Sequence, residues 1–146
     1  MSTRIPESLR TQIDATDRQS CCYCLTSEAV SGTPLTYDHI TPASRGGLTT
    51  FDNVCLACRT CNEFKTNTIR AVDPLTQESA PLFHPRQQHW QDHFAWSLDG
   101  TKIEGKTAIG RATVVALRMN HALIVAARRR WCAVGWHPPA IEPKRR

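Results

Sequence analysis

Cys21-Cys22-Tyr23-Cys24 and Cys58-Arg59-Thr60-Cys61 bracket a 33-residue insertion, residues 25–57, and this stretch decides how the chain is read. Each string contains a Cys-x-x-Cys pair, Cys21 with Cys24 and Cys58 with Cys61. Such a pair forms a tight knuckle that turns both sulfurs toward one ion. Two knuckles supply the four thiolates of a tetrahedral zinc site. Their separation exceeds that of a compact zinc ribbon, so something must fold between them. Cys22 is an alternative ligand, but Cys-x-Cys spacing fits a knuckle less well. A redox role would require two such pairs, and no thioredoxin-like pattern surrounds them. Cys55 and Cys132 stand outside both motifs and read as small core residues.

The insertion carries Asp38-His39-Ile40-Thr41-Pro42, then Gly46-Gly47, then Asn53. Directly after the second knuckle come Asn62 and Lys65. Chemically this is a set of oxygen ligands beside a base. An Asp carboxylate and an Asn amide oxygen suit a hard divalent ion such as Mg²⁺. A neutral imidazole, with an unperturbed pKa of about 6.5, can take a proton from water.

The order and spacing of these residues over 18–68 resemble the HNH endonucleases, members of the ββα-metal nucleases. The resemblance implies an α+β fold: a ββα-metal HNH core braced by a four-cysteine zinc knuckle pair, with a C-terminal β-hairpin and helical extension beyond it. It implies that His39 is the general base, that Asp38 is the acidic metal ligand, and that Asn53 holds the loop that aims the His ring. Asn62 stands at the last position of the name motif, where His is common and Asn a frequent alternative. An amide ligates without charge, so the DNA phosphate would have to complete the shell. Lys65 would touch phosphate. The implied reaction is metal-dependent hydrolysis of DNA, double-stranded by expectation, leaving 5′-phosphate and 3′-hydroxyl ends. Structural Zn²⁺ and catalytic Mg²⁺ or another divalent ion would be the cofactors. Cutting both strands at one site needs two copies or sequential nicks, so a homodimer is an option. The alternative from another class is a non-catalytic zinc module that binds nucleic acid or a protein partner.

The chain has 146 residues and a formal charge of +5. Length predicts a single domain with small appendages. No apolar run is long enough to cross a membrane, and the N-terminus lacks a secretory pattern. The expected compartment is the cytoplasm, where thiols stay reduced. Charge is unevenly spread. Residues 1–101 hold 8 Lys/Arg against 11 Asp/Glu, and residues 102–146 hold 10 against 2. The basic third therefore predicts a polyanion partner, with Arg111, Arg118, Arg128, Arg129, Arg130 and the tail Lys144-Arg145-Arg146 as the phosphate-contacting surface. No recognition helix that reads base edges is evident.

Pattern predicts a helix over 5–17 with Leu9 and Ile13 on one side, a strand over 33–40, a loop over 43–53 and a short helix from 59 to about 68. Residues 73–85, with three prolines, read as an irregular connection. Residues 90–104 read as a hairpin turning at Asp99-Gly100. Helices follow over 107–119 and 121–134. The first has Ile109, Ala112, Val115 or Ala116, and Met119 on one stripe. The second has Leu123, Ile124, Ala127 and Trp131 on one side, and Asn120 marks the break. His84, His89 and His93 read as structural, with His84 a candidate to approach the active site; His121 and His137 read as exposed. The expected organisation is a nuclease core over 1–72 and a C-terminal extension over 73–146 packed on it.

Overall fold

Helix α1, Glu7–Asp17, follows Pro6, whose φ of −57° already suits a helix start, and Glu7 lies in the first turn where a carboxylate complements the helix dipole. It ends at Arg18 in the left-handed region. Its apolar stripe buries Ile13 against Val54 and Leu56, with Leu9, Tyr37 and Phe51 packed around them. That cluster is the core of one of two compact units into which the chain divides: Met1–Ile69 with His84–Arg86, and Arg70–Phe83 with Gln87–Arg146. The structure is a computed structural model and describes residues 4–140; Lys144, Arg145 and Arg146 lie outside the described residues.

In the first unit, a one-turn helix α2, Glu28–Ser31, is capped by Ser27. Strand β1, Thr36–His39, pairs antiparallel with β2, Val54–Ala57, in a register that sets Asp38 opposite Cys55 and His39 opposite Val54. β1 is shorter than the predicted strand. β2 is buried along its whole length, as a strand covered on both faces must be. Helix α3, Arg59–Lys65, follows directly, its N-terminus capped by the Cys58 sulfur. It stops at Thr66, whose φ of 46° breaks the helix before the predicted end. Arg86 returns to this unit. Its guanidinium makes a paired contact with Asp17 (2.6 and 3.1 Å), donates to the Phe51 and Val54 carbonyls, and lies over the Phe51 ring.

In the second unit the predicted irregular stretch is a hairpin. Strand β3, Arg70–Val72, pairs with β4, Ser79–Pro81. The turn is held by Asp73, which accepts from Leu75 N and the Thr76 hydroxyl, and Pro81 sits at a strand end where its missing N–H is tolerated. Arg111 then locks Asp73 with two parallel bonds, Nε to Oδ1 at 2.9 Å and Nη2 to Oδ2 at 3.0 Å. The hairpin at Asp99-Gly100 forms as read: α4, Trp90–His93, leads into β5, Phe94–Trp96, paired with β6, Ile103–Gly105. Phe83, Trp90, Phe94 and Trp96 stack with centroids 5.2–5.6 Å apart.

Helices α5, Ala108–Ala116, and α6, Ala122–Ala133, complete the second unit. On α5, Ala112 is buried, and of the two alternatives Ala116 is half-buried while Val115 is 56% exposed; Met119, just past the helix, is buried. On α6 the expected apolar side is partly covered, with Ile124, Ala127 and Trp131 half-buried. Leu123 is 80% exposed, and the residue α6 buries is Arg128. The Arg128 guanidinium donates to the Thr101 carbonyl (3.0 Å) and to Asn120 Oδ1 (3.2 Å), and lies over the Trp96 ring. The Thr101 turn carbonyl accepts from this donor in the interior, and an apolar side chain could not supply one. Asn120, the predicted break, also clamps Ile103 through both N–H and C=O.

Candidate active site and zinc centre

The four knuckle sulfurs of Cys21, Cys24, Cys58 and Cys61 lie within 4.8 Å of one another, and Cys24 Sγ to Cys58 Sγ is 3.7 Å. A tetrahedron with Zn–S bonds of about 2.3 Å has S···S edges of about 3.8 Å, so the set fits one zinc ion. Backbone N–H groups of Cys24 and Cys61 point at the Cys21 and Cys58 sulfurs, the geometry that makes a knuckle. Hydrogen bonds from Cys21, Cys58 and Cys61 hold the Cys24 thiol well below its ordinary pKa, while burial pushes Cys21 up. A divalent ion bound here would deprotonate all four thiols. Among the described residues this is the one such group of His, Cys, Asp or Glu. Cys22, the alternative ligand, is outside it.

Between the knuckles, β1 delivers Asp38 and His39 to opposite faces, as successive strand residues must be. Asp38 is buried. Its Oδ2 accepts from the Tyr23 hydroxyl at 2.7 Å, and Lys65 Nζ lies 3.3 Å from Oδ1 and 3.2 Å from Oδ2. Burial raises the Asp38 carboxyl above its ordinary value, and Lys65 and Tyr23 act against that rise. His39 is half-buried with Nε2 2.9 Å from the Thr49 hydroxyl.

Asn53 holds the intervening loop. Its Oδ1 accepts from Thr41 N (2.8 Å), and its Nδ2 donates to the carbonyls of Thr41 (3.0 Å) and Leu48 (2.9 Å). Gly47 makes this closure sterically feasible: a Cβ there would overlap the Thr41 carbonyl and crowd the Asn53 amide. Asn62 Nδ2 donates to the Thr36 hydroxyl at 3.0 Å, at an open groove of about 440 Å³ lined by Thr36, Arg59, Asn62, Glu63 and Thr66.

Several expected surface positions are interior. Lys65 is 1% exposed, with Nζ also donating to the His39 carbonyl at 3.0 Å, so it is not set where a phosphate would reach it. Arg128 is buried and Arg111 is committed to Asp73. Arg118, Arg129 and Arg130 are exposed. His137 is buried, with Nε2 3.0 Å from the Gly100 carbonyl. His121 caps α6 through Nδ1. His93 bonds the Thr107 hydroxyl, and His84 Nδ1 accepts from Arg86 N. Sequence reasoning missed Tyr23, Thr36 and Thr49. Tyr23 carried a signal, an aromatic inside a metal knuckle; the two threonines carried none.

The family model described as HNH endonuclease matches residues 21–68. The match begins at the first knuckle and ends just beyond α3, so it takes in both Cys pairs, Asp38, His39, Asn53 and Asn62. No curated protein matches the chain. No helix among the described residues is long and apolar enough to cross a membrane.

Proposed function

We infer that the protein is a metal-dependent endonuclease of the ββα-metal type that hydrolyses phosphodiester bonds in DNA. The observation that carries this reading is the HNH endonuclease match over 21–68, which coincides with the segment where β1, the Asn53-closed loop and α3 bring the proposed residues into one unit. In the proposed mechanism His39 takes a proton from water, its ring steadied by Thr49. Asn53 keeps the loop after His39 in one shape by satisfying both polar groups of Thr41. Asp38 and Asn62 supply the carboxylate and amide oxygens that suit a hard divalent ion, which would stabilise negative charge developing on the phosphate and leaving oxygen. The cysteine set, closed at four thiolates, offers substrate no open position and braces the scaffold. Exposed Arg118, Arg129 and Arg130 support a polyanionic substrate.

A supercoiled-plasmid assay with Mg²⁺, Mn²⁺ or Ni²⁺ tests the reading. His39→Ala should lose about 10²–10⁴-fold in cleavage rate while keeping its zinc. Equal cutting by the mutant removes His39 from the mechanism. Absence of cutting by the wild-type chain with every metal returns the protein to a non-catalytic zinc module.

A further inference from the structure

One of the two side chains that grip Asp38 lies inside a cysteine knuckle and the other one helical turn beyond the second knuckle. Tyr23 lies between Cys21 and Cys24, is 0% exposed, and donates its hydroxyl to Asp38 Oδ2 at 2.7 Å. Lys65 lies four residues past Cys61 on α3 and bridges both Asp38 oxygens. An ionised carboxylate has about four lone-pair sites. Tyr23 and Lys65 occupy some of these from fixed directions, so the remaining ones are aimed rather than free to rotate. Tyr23 thus sits between two of the four clustered cysteines and Lys65 about one helical turn beyond a third.

We propose that the zinc centre presets the catalytic-metal carboxylate, with Tyr23 as the positioning residue that transmits knuckle geometry to Asp38. The proposal rests on Asp38 being a ligand of the catalytic ion. Tyr37 is an internal control: it is the chain's other tyrosine, and its hydroxyl is committed to Asp14 at 2.7 Å. Tyr23→Phe keeps the ring and deletes only the hydroxyl.

In zinc-loaded protein, calorimetric Mn²⁺ affinity should fall about ten-fold in Tyr23→Phe and stay unchanged in Tyr37→Phe, with zinc content as in wild type. Wild-type chain labelled with 3-fluorotyrosine gives a second readout that needs no variant at position 23. Its Tyr23 ¹⁹F resonance should move as Mg²⁺ is added, while the Tyr37 resonance, assigned with Tyr37→Phe, stays in place. Mn²⁺ affinity within about two-fold of wild type in a zinc-loaded Tyr23→Phe overturns the proposal. If that variant loses its zinc, the fluorine signal decides, and an unmoved Tyr23 resonance at saturating Mg²⁺ overturns it. Asp38→Ala separates the two levels. If it abolishes Mn²⁺ binding while Tyr23→Phe does not weaken it, only the positioning role falls. If Asp38→Ala binds Mn²⁺ normally, the ligand assignment falls and the positioning role falls with it.

Discussion

Asn53 shows how a single amide can hold a loop. It accepts one backbone N–H and donates to two carbonyls, and each group stranded by its removal costs about 1–3 kcal/mol. Asn53→Ala should therefore lower the melting temperature. It should also cut the cleavage rate about 10²-fold, because a catalytic group displaced by about 1 Å loses that much; a plasmid assay beside a thermal melt checks both. Asp73 carries a pH signature. Arg111 beside it, then the Leu75 N–H and the Thr76 hydroxyl, hold its carboxyl well below the usual carboxylate range. A depressed folded-state pKa means stabilisation that is fully present above about pH 4, the unfolded value, and lost as pH falls through the folded value. Asp73→Asn should melt below wild type at neutral pH, and the gap should close on acidification below about pH 4, followed by circular dichroism.

The elements differ in how far local pattern governs them. Helix α1 forms where Leu9 and Ile13 predicted it, because its stripe faces the core it was expected to face. β2 was hidden, since its Val-Cys-Leu-Ala run precedes ligand cysteines and lacks alternation, as buried strands do. In α6 the periodic apolar residues Ile124, Ala127 and Trp131 are only half-buried and a charged one is fully interior, because the turn carbonyl of Thr101 sets the demand at that point. Arg128→Ala should cost about 1.5–3 kcal/mol in urea denaturation, the scale of hydrogen bonds to a charged group, whereas Arg129→Ala and Arg130→Ala should leave stability unchanged. The knuckles carry a separate expectation. Native protein should contain about one zinc per chain, and Cys61→Ser should lower both that content and the melting temperature.

At the scale of the molecule, net charge is carried by the C-terminal third, yet its arginines do not act alike. Arg111 pairs with Asp73 and Arg128 is buried on the Thr101 and Asn120 oxygens, whereas Arg118, Arg129 and Arg130 are exposed. Replacing those three with Ala should weaken DNA binding and flatten the dependence of log K on log salt by about 0.9 for each phosphate no longer neutralised. A fluorescence-anisotropy titration over salt measures it. An unaltered slope would assign the basic third to solubility alone.

The sequence by itself determined the cysteine pairing into two knuckles, the residues offered between them, and the hairpin at Asp99-Gly100. Each depends on spacing within a few residues or on a motif whose order is its content. Tertiary structure decided what those residues touch. That Lys65 is interior, that Tyr23 reaches Asp38, that Arg86 returns to Asp17 and that Arg128 is buried are contacts between positions 15 to 69 residues apart. A charged side chain reads as exposed until the fold supplies a buried acceptor, because only then is the cost of taking its charge out of water offset.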